Sequence, residues 1–509
     1  MSAYKLFKLV GTLHPEELAE ISRYLDSSVF NTNQRCSQLF QQLCKFHPAM
    51  DAVKLTKERL FAKVFGKSPY DDGKMRKLMT QLGQLVERYL VIKMLDKSED
   101  VHKQLLIKSL GERNDYELFR TTAENRLMEL ERQQLRGKDY FREKHLLNEM
   151  LYYHPETEKL TKGNDYLRRA VLSFEQYFTL LSLENAADTM VVNRIVDTEI
   201  QMKYLDSINQ VSWEADFASE PAIQFFHTLI NLSAKEQEEG LENIRNLTFK
   251  SYELLSSFEK SHAINAMRNY AMPIANRGSL LHSKFVFDLF KLEIQNGFLT
   301  AGSKRINSAT FMNIVSVGLV VKEMAWTNDF ILNYSKLIQE DEMEVTLNFC
   351  KGLWYYHQGM IANDVDCFYN AVNLLTLVPG RSGAKFELRI RPTLLRIFYE
   401  LLYRQKETLD HVMQQVRNFE RHLTFKDVYS QDIQLTYKNF IKHYRTLAKF
   451  SDKVANPAIH EAKLKKFIAI LYAAQDVVLK RWLLEKAEEL LVQLNANSSR
   501  PGLSSDYPL

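Results

Sequence analysis

The sequence predicts an all-α protein: an irregular array of helical hairpins behind a compact N-terminal helical module. Three observations predict it. Glycine and proline number 17 and 11 of 509 residues, roughly 3% and 2% against usual values of about 7% and 5%, so the residues of tight turns are scarce. Apolar residues recur at helical spacing along most of the chain. No stretch sustains the alternation of a strand.

The bulk numbers bound the rest. At 45% hydrophobic and 26% charged, the chain buries a core and lies far from the composition of disorder. The net charge is +4, too small for a global field to attract nucleic acid or anionic lipid, so such binding needs a local patch. Cys36, Cys44, Cys350 and Cys367 form no CxxC pair, which implies neither a zinc site nor a disulfide framework and suits a reducing cytoplasm. The opening "MSAYKLFKLVGTLHPEE" lacks the apolar stretch and cleavage site of a signal peptide. The most apolar run, "FMNIVSVGLVV" from Phe311 to Val321, holds Asn313 and Ser316 and is far shorter than the ~20 residues of a spanning helix. A buried helix is expected there, and no membrane contact.

Residues 1–95 are expected to form the N-terminal module, with helices near 15–26, 34–46, 56–64 and 71–95. In the last, Met75, Leu78, Met79, Leu82, Leu85, Val86, Tyr89 and Leu90 make one apolar stripe. Asp71 and Asp72 stand where a carboxylate caps free amides and meets the positive end of the helix dipole. Helices near 99–110, 114–134, 138–153, 164–183 and 186–207 follow, in a first array segment at 96–215. A middle segment at 216–340 and helical hairpins at 341–495 are separated by breaks at "SWEADFASEP", "PIANRGS", "NGFLTAGSKR", "VPGRSG" and "SDKVANP". The final 496–509, rich in Ser and Pro, reads as a flexible tail.

One hairpin carries a signature. In "FCKGLWYYHQGMIANDVDCFYNAVNLL", Gly352 and Ala371 are small where two antiparallel helices must approach. Tyr355 and Phe368 are aromatic where gaps to neighbouring pairs must be filled, and Gly359 is expected at the turn. The segment resembles a tetratricopeptide repeat. It departs from the motif at Asn348, Lys351, Asp364 and Thr376, where the family has Trp, Leu, Ala and Pro. The following pair, "ELRIRPTLLRIFYELLYR" and "LDHVMQQVRNFERHL", has the size without the signature, so the array is irregular. The resemblance implies a surface that binds a protein or peptide. Separately, "LTKERLFAKVFGKSPYDDGKMRKLM" is similar to a segment near the start of uncharacterised all-helical proteins from Bacteroidota, which implies a bacterial origin and no particular activity.

The sequence carries no complete catalytic motif. Gly66, Lys67 and Ser68 match the end of a phosphate loop, but the glycine required five residues earlier is Phe61. A helix end followed by a turn is expected instead. His14, His47 and His154 each precede a proline and are read as helix ends or turn starts. Glu340, Asp341, Glu342 and Glu344 sit at an expected helix start, where the dipole accounts for them. Tyr166, Phe174, Tyr177 and Phe178 are read as packing between helix layers. No metal, cofactor or catalytic residue is expected, and the chain is read as no enzyme.

The remaining candidate is basic. From Lys54 to Lys77 eight cations face three acids (Glu58, Asp71, Asp72), a net +5. Two helices across this segment would form a helix-turn-helix presenting Lys57, Arg59, Lys63, Lys67, Lys74, Arg76 and Lys77 to phosphates. The expectation is therefore a non-enzymatic scaffold or adaptor that binds a protein partner on its helical-repeat surface. The first alternative is a nucleic-acid-binding regulator using the basic segment, and the second an enzyme with a site dispersed through the helical interior.

Overall fold

The structure, a computed structural model, describes residues 3–50, 55–113, 115–158, 164–195, 200–211, 215–233, 238–276, 278–300, 305–377, 384–425, 431–452 and 457–498. The protein is all-helical: among these residues the only β pairing is an isolated parallel bridge between Ile306 and Ile338. The chain divides into two compact units, Met1–Gln133 with Arg142–Phe174, and Gln134–Phe141 with Glu175–Leu509.

The first unit opens with α1 (Ala3–Gly11), α2 (Pro15–Asp26), α3 (Gln34–Cys44), α4 (Lys57–Phe65) and α5 (Asp72–Asp96). One apolar cluster closes these five, running from Leu6 and Val10 through Leu39, Phe40 and Phe61 to Met75, Leu82 and Val86. Helix α5 is its axis because its stripe puts Met75, Leu78, Met79, Leu82, Val86 and Tyr89 on one buried face. Burying each such side chain is worth about 1.5–3 kcal/mol. The Asp71 carboxylate accepts the Lys74 N–H at 2.9 Å, the cap that the sequence indicates. Helix α1 was not expected: Leu6, Phe7 and Val10 supply an apolar face too short to stand out. Then come α6 (Glu99–Gly111), α7 (Tyr116–Glu131), α8 (Lys138–Tyr153) and α9 (Asn164–Ile195), the last two contributing to both units. Helix α9 corrects the expected pair 164–183 and 186–207, since Leu183–Glu184–Asn185 contains no glycine or proline to stop it.

The second unit continues with α10 (Leu205–Val211), α11 (Ala215–Ala218), α12 (Pro221–Ser233), α13 (Glu238–Ser251), α14 (Ser257–Asn276) and α15 (Leu280–Gln295). A 3-10 turn at Tyr252–Leu254 joins α13 to α14. After these come α16 (Ser308–Val320), α17 (Met324–Tyr334), α18 (Glu340–Ala362), α19 (Val365–Thr376) and α20 (Ala384–Tyr403). The last are α21 (Leu409–Phe425), α22 (Gln431–Asp452), α23 (Pro457–Ala473) and α24 (Lys480–Ser498). Much of the packing joins helices adjacent in sequence: α12 with α13, α14 with α15, α18 with α19, α21 with α22, and α23 with α24. Short connections produce that pattern.

Helix α16 buries Phe311, Met312, Ile314, Val315, Val317 and Leu319, as the apolar run predicts. The break placed at "PIANRGS" begins later than expected, because α14 continues through Pro273 to Asn276. Of the aromatic set on α9, Tyr166 is buried, but Phe174 and Phe178 are 48% and 42% exposed, which corrects the packing expectation for those two. Phe174 meets His145 of α8 at its edge, ring centres 5.3 Å apart. The "VPGRSG" break, Lys54 and residues 499–509 of the expected tail lie outside the described residues; 496–498 belong to α24.

Candidate interaction site

The signature hairpin is α18 and α19. Three acids, Glu340, Asp341 and Glu342, occupy the first turn of α18, where the dipole favours them. A Cβ on Gly352 would lie 2.8 Å from Leu375 Cγ and 3.3 Å from the Ala371 carbonyl oxygen, so the two helices meet at the distance that glycine permits. Phe368 and Ala371 are fully buried. Two of the expected positions need correction. Gly359 lies inside α18, packed by its missing side chain against Phe368, and the chain reverses at Asn363, whose φ of 52° is left-handed. Tyr355 is half-buried, while its neighbour Tyr356 is the core aromatic, 6.2 Å from Phe368.

Behind this hairpin α20 places Arg396 and Glu400 one turn apart, and Arg404 follows directly after its end. Arg396 lies over Tyr356 at 4.6 Å and Arg404 over Phe368 at 4.9 Å. Glu400 is 3.0 Å from Lys486 of α24, and Trp482, one turn before that lysine, packs edge-on to Tyr399 at 5.4 Å. These charges are spent inside the fold as aromatic contacts and buried pairs, which leaves them unavailable to a ligand.

The basic segment is used up in part, with Lys57, Lys74 and Arg76 held by acids. Asp72 takes Lys57 at 2.9 Å and Arg76, and accepts the Tyr70 hydroxyl at 2.9 Å. Lys57 and Arg76, with that hydroxyl, hold its carboxyl far below the usual range. Lys74 lies 3.7 Å from Asp71. Arg59, Lys63, Lys67 and Lys77 are exposed without an ion pair among the described residues. The loop between α4 and α5 spans residues 66–71, longer than the usual 3–4 residue turn of a helix-turn-helix. Gly66, with φ of 66°, ends α4, so the glycine of the failed phosphate loop serves as a helix stop.

A cleft of about 530 Å³ lies between α13, the 3-10 turn and α15. Phe285, Leu289 and Leu292 form its apolar side, and Glu242, Arg245, Glu253 and Asp288 its charged rim. Tyr252 lines it with a buried hydroxyl that has no hydrogen-bond partner among the described residues. Burial, with Glu253 beside it, pushes that phenol up to about 12, so it stays a neutral donor at physiological pH. Glu253 is paired with Lys260 at 2.7 Å; Glu242, Arg245 and Asp288 form no ion pair among the described residues. A second cavity, of about 440 Å³ around Glu293, Arg305 and Gln339, differs because its charges are already matched. Arg268 pairs with Glu293, and Arg305 donates to the Ile338 carbonyl at 3.1 Å.

Compared with known proteins, the chain matches no family model, no curated protein and no solved structure. No helix among the described residues is long and apolar enough to cross a membrane. No group of three or more His, Cys, Asp or Glu among them is placed to hold a metal ion. Sequence reasoning missed the cleft, whose residues come from segments about forty positions apart and carry no motif.

Proposed function

We propose that the protein is a non-enzymatic scaffold of irregular, tetratricopeptide-like helical hairpins that binds a protein partner through the cleft between α13 and α15. The observation that carries this reading is the apolar floor of Phe285, Leu289 and Leu292 beside the rim charges Glu242, Arg245 and Asp288, which form no ion pair among the described residues. A peptide segment suits those groups. Its apolar side chain rests on Phe285, Leu289 and Leu292, and a basic neighbour meets Glu242 or Asp288. The close α18–α19 approach at Gly352 supports the hairpin architecture. Four free cysteines suit a reducing cytoplasm.

The test is capture from native lysate, with and without nuclease, by the wild-type chain and by a Glu242→Arg/Asp288→Arg variant. The reading expects a nuclease-resistant, stoichiometric protein that the variant fails to retain. A partner held equally by both chains, or nucleic acid lost on nuclease treatment, overturns it. The nucleic-acid alternative keeps four unpaired cations, Arg59, Lys63, Lys67 and Lys77, as its whole support.

A further inference from the structure

The residues Arg136, Gly137 and Lys138, at the start of α8, are held within the second unit by groups far apart in sequence. Glu184 of α9 and Glu259 of α14 are each 1% exposed. Lys138 Nζ lies 3.2 Å from Glu184 Oε2, and the Lys138 backbone N–H donates to Glu259 Oε1 at 3.0 Å. The same ammonium sits 3.4 Å from the centre of the Phe258 ring. Arg136 reaches Glu220 at 3.3 Å. A Cβ on Gly137 would collide with the Glu259 carboxylate, so glycine is what lets the backbone approach.

The charges do not balance. Glu184 faces Lys138 from α8, Asp188 from its own helix, and Glu259 and His262 from α14. His262 Nδ1 is 3.8 Å from Glu184 and Nε2 is 3.3 Å from Asp188, and the ring is a cation only when protonated. Glu259 faces Lys138 and Asp139. Two buried carboxylates thus share one permanent ammonium, and Glu184 Oε1 and Glu259 Oε2 have no hydrogen-bond partner among the described residues. An uncompensated buried charge is costly, and a proton removes it.

We propose that Glu184 and Glu259 form a proton-binding site that latches Arg136–Lys138 closed when the proton is bound and loosens it as pH rises to neutrality. A proton on Glu184 Oε1 leaves Oε2 to accept from Lys138, so the latch keeps its contact while losing the surplus charge. Burial pushes both carboxyls up, against the opposing pull of Lys138, and Glu184 reaches about 7 from an ordinary 4.5. Opening admits water and returns Glu184 to its ordinary value. The closed form therefore binds more protons between those values, and opening grows as pH rises through that window. For this one group the opening constant increases about tenfold from pH 6 to pH 8.

Hydrogen exchange of the full chain, followed in peptides covering residues 134–141 and corrected for intrinsic exchange, reads the opening directly. The expected result is protection that falls about tenfold from pH 6 to pH 8 in the wild type. In Glu184→Gln, which keeps the shape and removes the ionisation, protection changes less than twofold. Equal wild-type protection at both pH values overturns the proposal, as does a Glu184→Gln variant that keeps the tenfold fall. Should circular dichroism show Glu184→Gln unfolded, Glu259→Gln is read in its place: a pH response smaller than wild type supports the shared site, and an unchanged one overturns it.

Discussion

Arg126 offers the sharpest test of what holds the first unit together. Its side chain is 6% exposed, and it forks onto Glu143, equally buried, with Nε at 2.7 Å and Nη2 at 3.0 Å. Asp100 at 2.6 Å and Glu129 at 3.1 Å are its outer partners, with 67% and 48% of their side-chain surfaces exposed. These exposed pairs are worth about 0–1 kcal/mol each. Removing one member of the buried pair strands the other, at about 3–5 kcal/mol. Arg126→Met should therefore destabilise α7 and α8 by about 4 kcal/mol, and Glu143→Leu by less, because Arg126 keeps Asp100 and Glu129. The double variant, with no buried charge left over, should recover most of that loss, giving a coupling of about 3 kcal/mol or more in the cycle. Urea titration with hydrogen exchange read on α7 and α8 peptides measures each corner without assuming that the two units unfold together. A single-variant loss below about 1 kcal/mol, or a strictly additive cycle, would refute the reasoning.

Further outcomes follow from particular contacts. Replacing glycine by alanine inside a helix normally stabilises by about 1 kcal/mol, but Gly352→Ala should lower stability by about 1–3 kcal/mol because its Cβ meets Leu375; thermal unfolding gives the sign. Asp71→Ala removes the cap of α5 and should cost about 1 kcal/mol, read from urea midpoints with Asp71→Asn as the near-neutral control. Burial raises the thiols of Cys350 and Cys36, the latter to about 11, so neither should react with a thiol reagent at pH 8 until denaturant is added. Reversing Lys74, Arg76 and Lys77 to Glu should leave capture of the protein partner unchanged, since two of the three are already matched by Asp71 and Asp72.

The legible parts of the fold are those written in local pattern. The α5 stripe, the Asp71 cap, the apolar α16 and the acidic start of α18 each lie within a few turns of chain, where period and end chemistry act directly. Helix α1 is not legible because nine residues hold only about two and a half turns of signal. The choice between adjacent Tyr355 and Tyr356 turns on which faces α19 and α20, and one helix viewed alone does not show its neighbours. The same holds for Phe174 and Phe178: helical spacing identifies a stripe, and packing decides whether it is covered. The cleft and the Lys138–Glu184–Glu259 centre were invisible because their members are ordinary residues brought together across 46 and 121 positions. Their only sequence trace is Gly137, a glycine whose purpose is another helix's carboxylate.

The central claim is that the protein holds a partner by an apolar cleft with a charged rim rather than by phosphate contacts. The most direct measurement is the affinity of the captured partner at 50 and 200 mM salt. Four phosphate contacts, one for each unpaired cation of the basic segment, would weaken binding roughly 100-fold over that range. The account predicts a change of less than about threefold, as expected for rim charges around an apolar core. A fall of roughly 100-fold, abolished by reversing Arg59, Lys63, Lys67 and Lys77, would contradict it.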